Sequence, residues 1–156
     1  MDEVRALFRA FIDWHRAQHA ADLALIDRYF DAIAFAHEIA ALPGQYAPPT
    51  GSLLLAHHDG RPAGCVGLRA LSDGVCEMKG MFVPTEFRGL GMGRALAERV
   101  VADARVAGCT QMRLDTSRRQ EAAIGLYEAS GFHRVQPYYN VPDDLREWPV
   151  LLELQL

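Results

Sequence analysis

The stretch EFRGLGMGRAL, residues 86–96, puts three glycines into five positions between Arg88 and Arg94, where a helical pattern begins. The first N–H groups of a helix have no intrahelical partners, and its aligned peptide dipoles leave roughly half a positive charge there. Glycines remove the Cβ atoms that would keep a phosphate away from the backbone. One glycine would suit a turn that merely lets a helix pack on a strand. Three, with an arginine at each end, point to an anion cradle built from the backbone of residues 88–94. Two familiar phosphate patterns do not fit. GxxxxGK[ST] is absent, and Arg94 stands where GxGxxG needs its third glycine.

Working outward, residues 4–17 carry Val4, Leu7, Phe8, Phe11, Ile12 and Trp14 at helical spacing. The spacing predicts a second helix from about Asp22 to Leu42, broken by PGQYAPPTG. SLLLAHH and PAGCVGLRAL read as strands joined by a DGR hairpin turn, and VCEMKGMFV as a third strand after SDG. Leu96, Val100, Ala104 and Ala107 mark a helix face over residues 91–107, with Gly108 placed to end it. A strand (QMRLDT), a helix over residues 120–130, a short strand (FHRV) and a last strand (PVLLELQL) follow. Hairpins plus one parallel crossover give an α+β fold: one mostly antiparallel mixed sheet flanked by about four helices.

The 156 residues suit a single domain, with residues 1–45 as a helical segment and 52–156 as the sheet-bearing core. A net charge of -4, with no basic block, speaks against a nucleic-acid partner. Cys65, Cys76 and Cys109 form no CxxC pair, so neither a disulfide framework nor a zinc site is expected. His57 and His58 are neighbours on a strand and point to opposite faces, so no metal is expected there either. The N-terminus lacks the pattern of a signal peptide, and no apolar run would span a bilayer; no membrane partner and a cytoplasmic location are expected.

Arg88-Gly89-Leu90-Gly91-Met92-Gly93 resembles the Q/R-x-x-G-x-G/A motif of the GNAT superfamily of N-acetyltransferases. CEMKGMFVPTEFRGLGMGRAL is similar to that family's fourth strand, turn and third helix, LDT to its fifth strand, and AAIGLYEASGF to its A-x-x-L-Y-x-x-x-G-F signature. PYYNVP and a last strand are similar to the tail of small bacterial members. The resemblance runs from about Ser52 to Leu156. It implies acetyl-CoA as co-substrate, with its pyrophosphate on the backbone of Arg88, Gly89, Leu90, Gly91, Met92, Gly93 and Arg94. Its pantetheine arm would lie along Met81, Phe82 and Val83. Gln120 stands where many members carry a cofactor-contacting asparagine, and Arg118 and Arg119 are further candidates or simply a solvated pair.

The implied reaction is transfer of the acetyl group to a primary amine by direct attack through a tetrahedral intermediate. Tyr127, at the family's L-Y position, is the candidate acid for the departing thiolate, against a plain reading as an apolar-face tyrosine. Glu77 is the candidate base, sharing a strand face with Lys79 and Met81; pairing to Lys79 or an arginine is the bland alternative. A backbone N–H near Met81 would meet the oxyanion. Asp115 reads as structural. The amine should bind between the first helices and the C-terminal strands, with Tyr138, Tyr139 and Asn140 the best contributors; Tyr29, Phe30, His37 and Tyr46 are weaker ones, and Tyr29 and Phe30 read first as core. The chain opens directly in a helix where the family usually has a strand. The sheet is therefore expected to lack that strand or the start to be placed late, and an uncovered edge would favour a homodimer. Two other readings stay open: a CoA-binding sensor without catalysis, and a nucleotide-phosphate binder of another class.

Overall fold

A computed structural model describes all 156 residues. The chain opens in α1 (Asp2–Gln18), which carries Asp2 and Glu3 in its first turn and His15 and Arg16 in its last. That arrangement complements the helix dipole. Then follow α2 (Leu23–Tyr29) and α3 (Ala32–Ala41). The single helix expected over residues 22–42 is thus two, and five helices replace the four expected. Asp31 makes the break: its side chain accepts hydrogen bonds from the N–H groups of Ile33 and Ala34 and starts a new helix.

Six strands form one sheet in the order β1-β2-β3-β4-β6-β5. Their ranges are β1 Ser52–His58, β2 Arg61–Ser72, β3 Val75–Phe82, β4 Gln111–Ser117, β5 His133–Val135 and β6 Pro149–Gln155. Two hairpins build β1-β2-β3, and α4 (Met92–Val106) makes the crossover that sets β4 parallel to β3. α5 (Glu121–Ala129) follows β4. No strand precedes β1, which is the outer strand on its side of the sheet.

Each face of the sheet has its own core. On one, Leu96, Ala97, Val100, Val101 and Ala104 of α4 pack with Val66, Leu68, Met78, Met112 and Leu152. On the other, Val4, Leu7 and Phe8 of α1 and Ile39 of α3 pack with Tyr46, Cys65 and Phe82. Burying each large apolar side chain contributes about 1.5–3 kcal/mol. Ile26 of α2, Leu145 and Trp148 form a third, smaller cluster that ties the C-terminal loop to the helices. No helix is long and apolar enough to cross a membrane.

Candidate active site

The parallel pairing of β3 with β4 is short. Val75, Cys76 and Glu77 meet Gln111, Met112 and Arg113, and there it stops. β2 holds the far edge of β3 as far as Phe82, and β6 holds that of β4 as far as Ser117. From Met78 and Leu114 onward the two inner edges therefore form a wedge without ladder hydrogen bonds between them. Free strand edges are templates for an extended chain. Gly80 sits on the wedge with φ 61°, beside a register shift between β2 and β3. An added Cβ there would lie 2.5 Å from the Phe8 ring, so the glycine permits both the bulge and the seat for Phe8.

A cavity of about 410 Å³ opens on both wedge edges and reaches under α1–α3. Phe8, Phe11, Phe30 and Phe35 supply much of its apolar wall. Its polar end is Asp115, whose side chain is 7% exposed. This carboxylate accepts from the Tyr29 and Tyr139 hydroxyls, the latter at 3.2 Å, and stands 3.4 Å from the Lys79 ammonium. Tyr127 of α5 lines the same cavity and is buried. Burial first, and the Asp115 charge second, push its pKa above the usual tyrosine value, so it keeps its proton at neutral pH.

Glu77 lies outside this wall. Its carboxylate is buried, accepts a hydrogen bond from Arg69 Nε at 2.6 Å, stands 2.5 Å from Arg69 Nη2 in the same ion pair, and is 3.4 Å from the Tyr138 hydroxyl. The arginine pairing weighed as its bland alternative is what the structure contains. Tyr138 in turn lies under Arg113, 4.7 Å from guanidinium to ring centroid. Of the three expected acceptor residues, Tyr139 lines the cavity, whereas Tyr138 and Asn140 do not. Tyr29 and Phe30 line it; His37 is exposed away from it, and Tyr46 is buried with its hydroxyl on Glu38.

The glycine stretch divides its labour. Gly89 and Gly91 take φ of 78° and 81°, and no atom stands within 4 Å of a Cβ added at either. Gly91 precedes the first helical residue of α4, whose N-terminus has no side-chain cap. Left-handed glycines that turn successive N–H groups inward make an anion nest. Gly93 serves packing instead: a Cβ there would lie 3.3 Å from Leu126 of α5. Arg88 donates to the Val83 carbonyl at 3.0 Å and stacks over Trp14 at 4.2 Å, while Arg94 pairs with Glu98 along α4. Leu90 and Arg94 are exposed, and Met92 is half-buried. Met81 and Val83 are half-buried beside the wedge, and Phe82 turns into the core under α1. Gln120 is the N-cap residue of α5, and its buried side-chain nitrogen has no hydrogen-bond partner. Arg118 and Arg119 pair with Glu147 and Asp22.

Residues 8–132 match the family model described as the acetyltransferase (GNAT) family, which is most of the chain. The chain belongs to that family. An uncharacterized N-acetyltransferase of Dictyostelium discoideum is 27% identical, over 92% of this chain and 89% of that protein. The fold of an acetyltransferase from Streptococcus agalactiae superposes with a TM-score of 0.77 at 22% identity, covering 100% of this chain and 93% of that one. A GNAT family acetyltransferase from Elizabethkingia anophelis, solved with acetyl-CoA bound, gives 0.58 at 22% identity over 69% and 77% of the two chains. This GNAT chain is an N-acetyltransferase.

Cys65 and Cys76 are not arranged as nucleophiles. Burial pushes Cys65 and Cys76 up to about 12, and both donate to backbone carbonyls at 3.5 Å. Sequence reasoning missed Asp115 as the cavity carboxylate. A cue existed: Lys79 and Asp115 each lie two residues beyond the paired Glu77 and Arg113. That register, however, is set by contacts remote in sequence.

Proposed function

We propose that the chain transfers the acetyl group of acetyl-CoA to a small primary amine that enters the aromatic cavity. The observation that carries this is the wedge. It offers two unpaired strand edges, a glycine nest without a side-chain cap at the start of α4, and a pocket lined by the protonated Tyr127 and the buried Asp115 carboxylate. The residues present fit the co-substrate. The N–H groups of residues 88–94 would hold the pyrophosphate, the edge of Met81, Phe82 and Val83 the pantetheine, and the partnerless Gln120 amide a polar group of the same molecule. Acetyl-CoA supplies an activated thioester.

The acceptor arrives as an ammonium with a pKa of about 10.4 for a lysine-like amine, and only the neutral amine attacks. Asp115 is placed to receive the ammonium; its carboxylate favours the charged form, the nearby Lys79 charge opposes that, and the ammonium gives up one proton to solvent before attack. Attack by nitrogen forms the C–N bond, and the C–S bond then breaks. Tyr127 gives its proton to the leaving sulfur, and the proton lost by nitrogen restores the tyrosine through the cavity. Glu77, locked to Arg69, acts by holding Tyr138 and the base of β3 rather than by touching the amine. A cytoplasmic compartment, where thiols stay reduced, suits the three free cysteines.

The test is thermal stability with acetyl-CoA, CoA, ATP and NAD at equal concentration. A ligand at 100 times its dissociation constant adds about 2.7 kcal/mol. A rise with acetyl-CoA and CoA alone is expected; a rise with ATP or NAD instead would sink the reading. A rise with CoA but no turnover of any amine would favour the sensor.

A further inference from the structure

Lys79 is the only lysine in the chain; the other fifteen of its 16 basic residues are arginines. A guanidinium stays protonated and does not take an acetyl group from a thioester, whereas an amine that sheds its proton does. The chain therefore offers two amines, the Lys79 side chain and the α-amino group of Met1. Met1 is 49% exposed at the start of α1 and does not line the cavity. Lys79 does.

Its place in the wall is specific. Lys79 lies on β3 two residues beyond the last seam pair, Glu77 with Arg113, and two before Met81, along which the pantetheine arm would run. Its Nζ is 3.4 Å from the buried Asp115 carboxylate, whose charge is also felt by Tyr127 of α5. The amine, its carboxylate partner and the hydroxyl that would protonate the sulfur thus share one wall. The Lys79 side chain is 32% exposed, so its ammonium can hand a proton to water. The wall's other nitrogen groups are engaged or sealed. Arg28 pairs with Asp144. His15 is 1% exposed, lies between Phe11 and Phe30 with ring centroids 5.8 and 5.5 Å away, and opens neither ring nitrogen to the cavity.

We propose that Lys79 is a self-acetylation site: with no amine acceptor in the cavity, its side chain takes the acetyl group of the acetyl-CoA held in the same wedge. This rests on the acetyl-transfer reading of that site. The ammonium first loses a proton to solvent. The neutral Nζ then attacks the thioester carbonyl, the C–N bond forms and the C–S bond breaks. Tyr127 protonates the departing sulfur and recovers the proton that the nitrogen sheds. The products are Nε-acetyl-lysine, CoA thiol and one released proton. An amide is not an activated acyl group, so the acetyl group stays and the modification stops at one per chain. It removes the cation beside Asp115 and leaves that carboxylate with the hydroxyls of Tyr29 and Tyr139.

The experiment incubates the full chain with acetyl-CoA in an amine-free buffer, follows the intact mass and maps the site with trypsin. One acetyl group per chain is expected. Trypsin does not cut after acetyl-lysine, so residues 70–88 should appear as one peptide instead of two. The rate constant should not depend on protein concentration, and should exceed that of the urea-unfolded chain at least about 100-fold, as an oriented intramolecular amine allows. Tyr127→Phe should slow it by about 10²-fold, and Lys79→Arg should end it. Acetylation of Met1 alone overturns the proposal. A Lys79 rate equal to that of the unfolded chain, or unchanged in Tyr127→Phe, marks ordinary chemical acetylation and overturns it too. A rate constant that rises with protein concentration shows transfer between molecules and overturns the geometry. No acetylation, with a rise in Tm on adding CoA, overturns the proposal and leaves the cofactor reading standing; no rise in Tm with CoA defeats both.

Discussion

Replacing Gly80 with alanine tests the wedge at its tightest point. The left-handed φ of 61° costs an alanine about 1–2 kcal/mol. The new methyl would also lie 2.5, 2.9 and 3.1 Å from three Phe8 ring atoms. The ring has little room to withdraw, being buried, stacked on Phe35 at 6.2 Å and edge-on to Tyr46 at 6.4 Å. Overpacking of this kind costs about 1–3 kcal/mol. The expected loss is therefore about 2–5 kcal/mol, or roughly 5–15 °C in Tm for a domain of this size. Urea unfolding measures it directly, and a cycle with Phe8→Leu separates the two causes. The smaller side chain should recover at least about 1 kcal/mol of the steric part and none of the backbone part. The KM for acetyl-CoA should rise in Gly80→Ala, because the edge proposed to hold it is displaced. A Gly80→Ala protein that melts within about 2 °C of its parent would refute the argument, and so would a cycle with no coupling.

Two further outcomes are expected. Tyr127→Phe should lower turnover by about 10²-fold, as loss of a general acid does, while the KM for acetyl-CoA stays within about twofold; a fall of less than about fivefold removes the tyrosine from the chemistry. Stability should also fall on acidification in a way that His15 controls. Its folded pKa of about 4 lies below the ordinary 6.5, so between those values the unfolded chain binds a proton that the native one refuses. The contribution is complete above pH 6.5, is lost as pH falls towards 4, and amounts to about 3 kcal/mol. The difference between parent and His15→Phe in urea melts from pH 7 to pH 4 isolates it, and parallel curves would show that the histidine is not buried as described.

Local chemistry made much of this fold legible in the sequence. The hairpin turns, the crossover helix and the glycine nest each follow from a few adjacent residues. The break at Asp31 was hidden because Phe30, Ile33 and Phe35 continue an apolar rhythm through it, and only the cap's hydrogen bonds show where it falls. In the site, alternation put Glu77 and Lys79 on one face but could not say which carboxylate ends at the cavity. The register of β3 against β4 and the reach of Arg69 from β2 decide that, and both are tertiary. The helical spacing of residues 4–17 does not single out His15. Its burial depends on Phe30 and Trp148, contributed from distant parts of the chain.

The shortness of the β3–β4 pairing has a mechanical meaning. β1-β2-β3 and β4-β6-β5 are each knitted by long antiparallel ladders, but only three residue pairs stitch one half-sheet to the other. The fold is thus two stiff plates on a short seam, with α4 and its core as the backing. A molecule lying in the wedge grips both plates at once. Its binding free energy would then add to the cohesion of the whole sheet, along the same line as the proposed site.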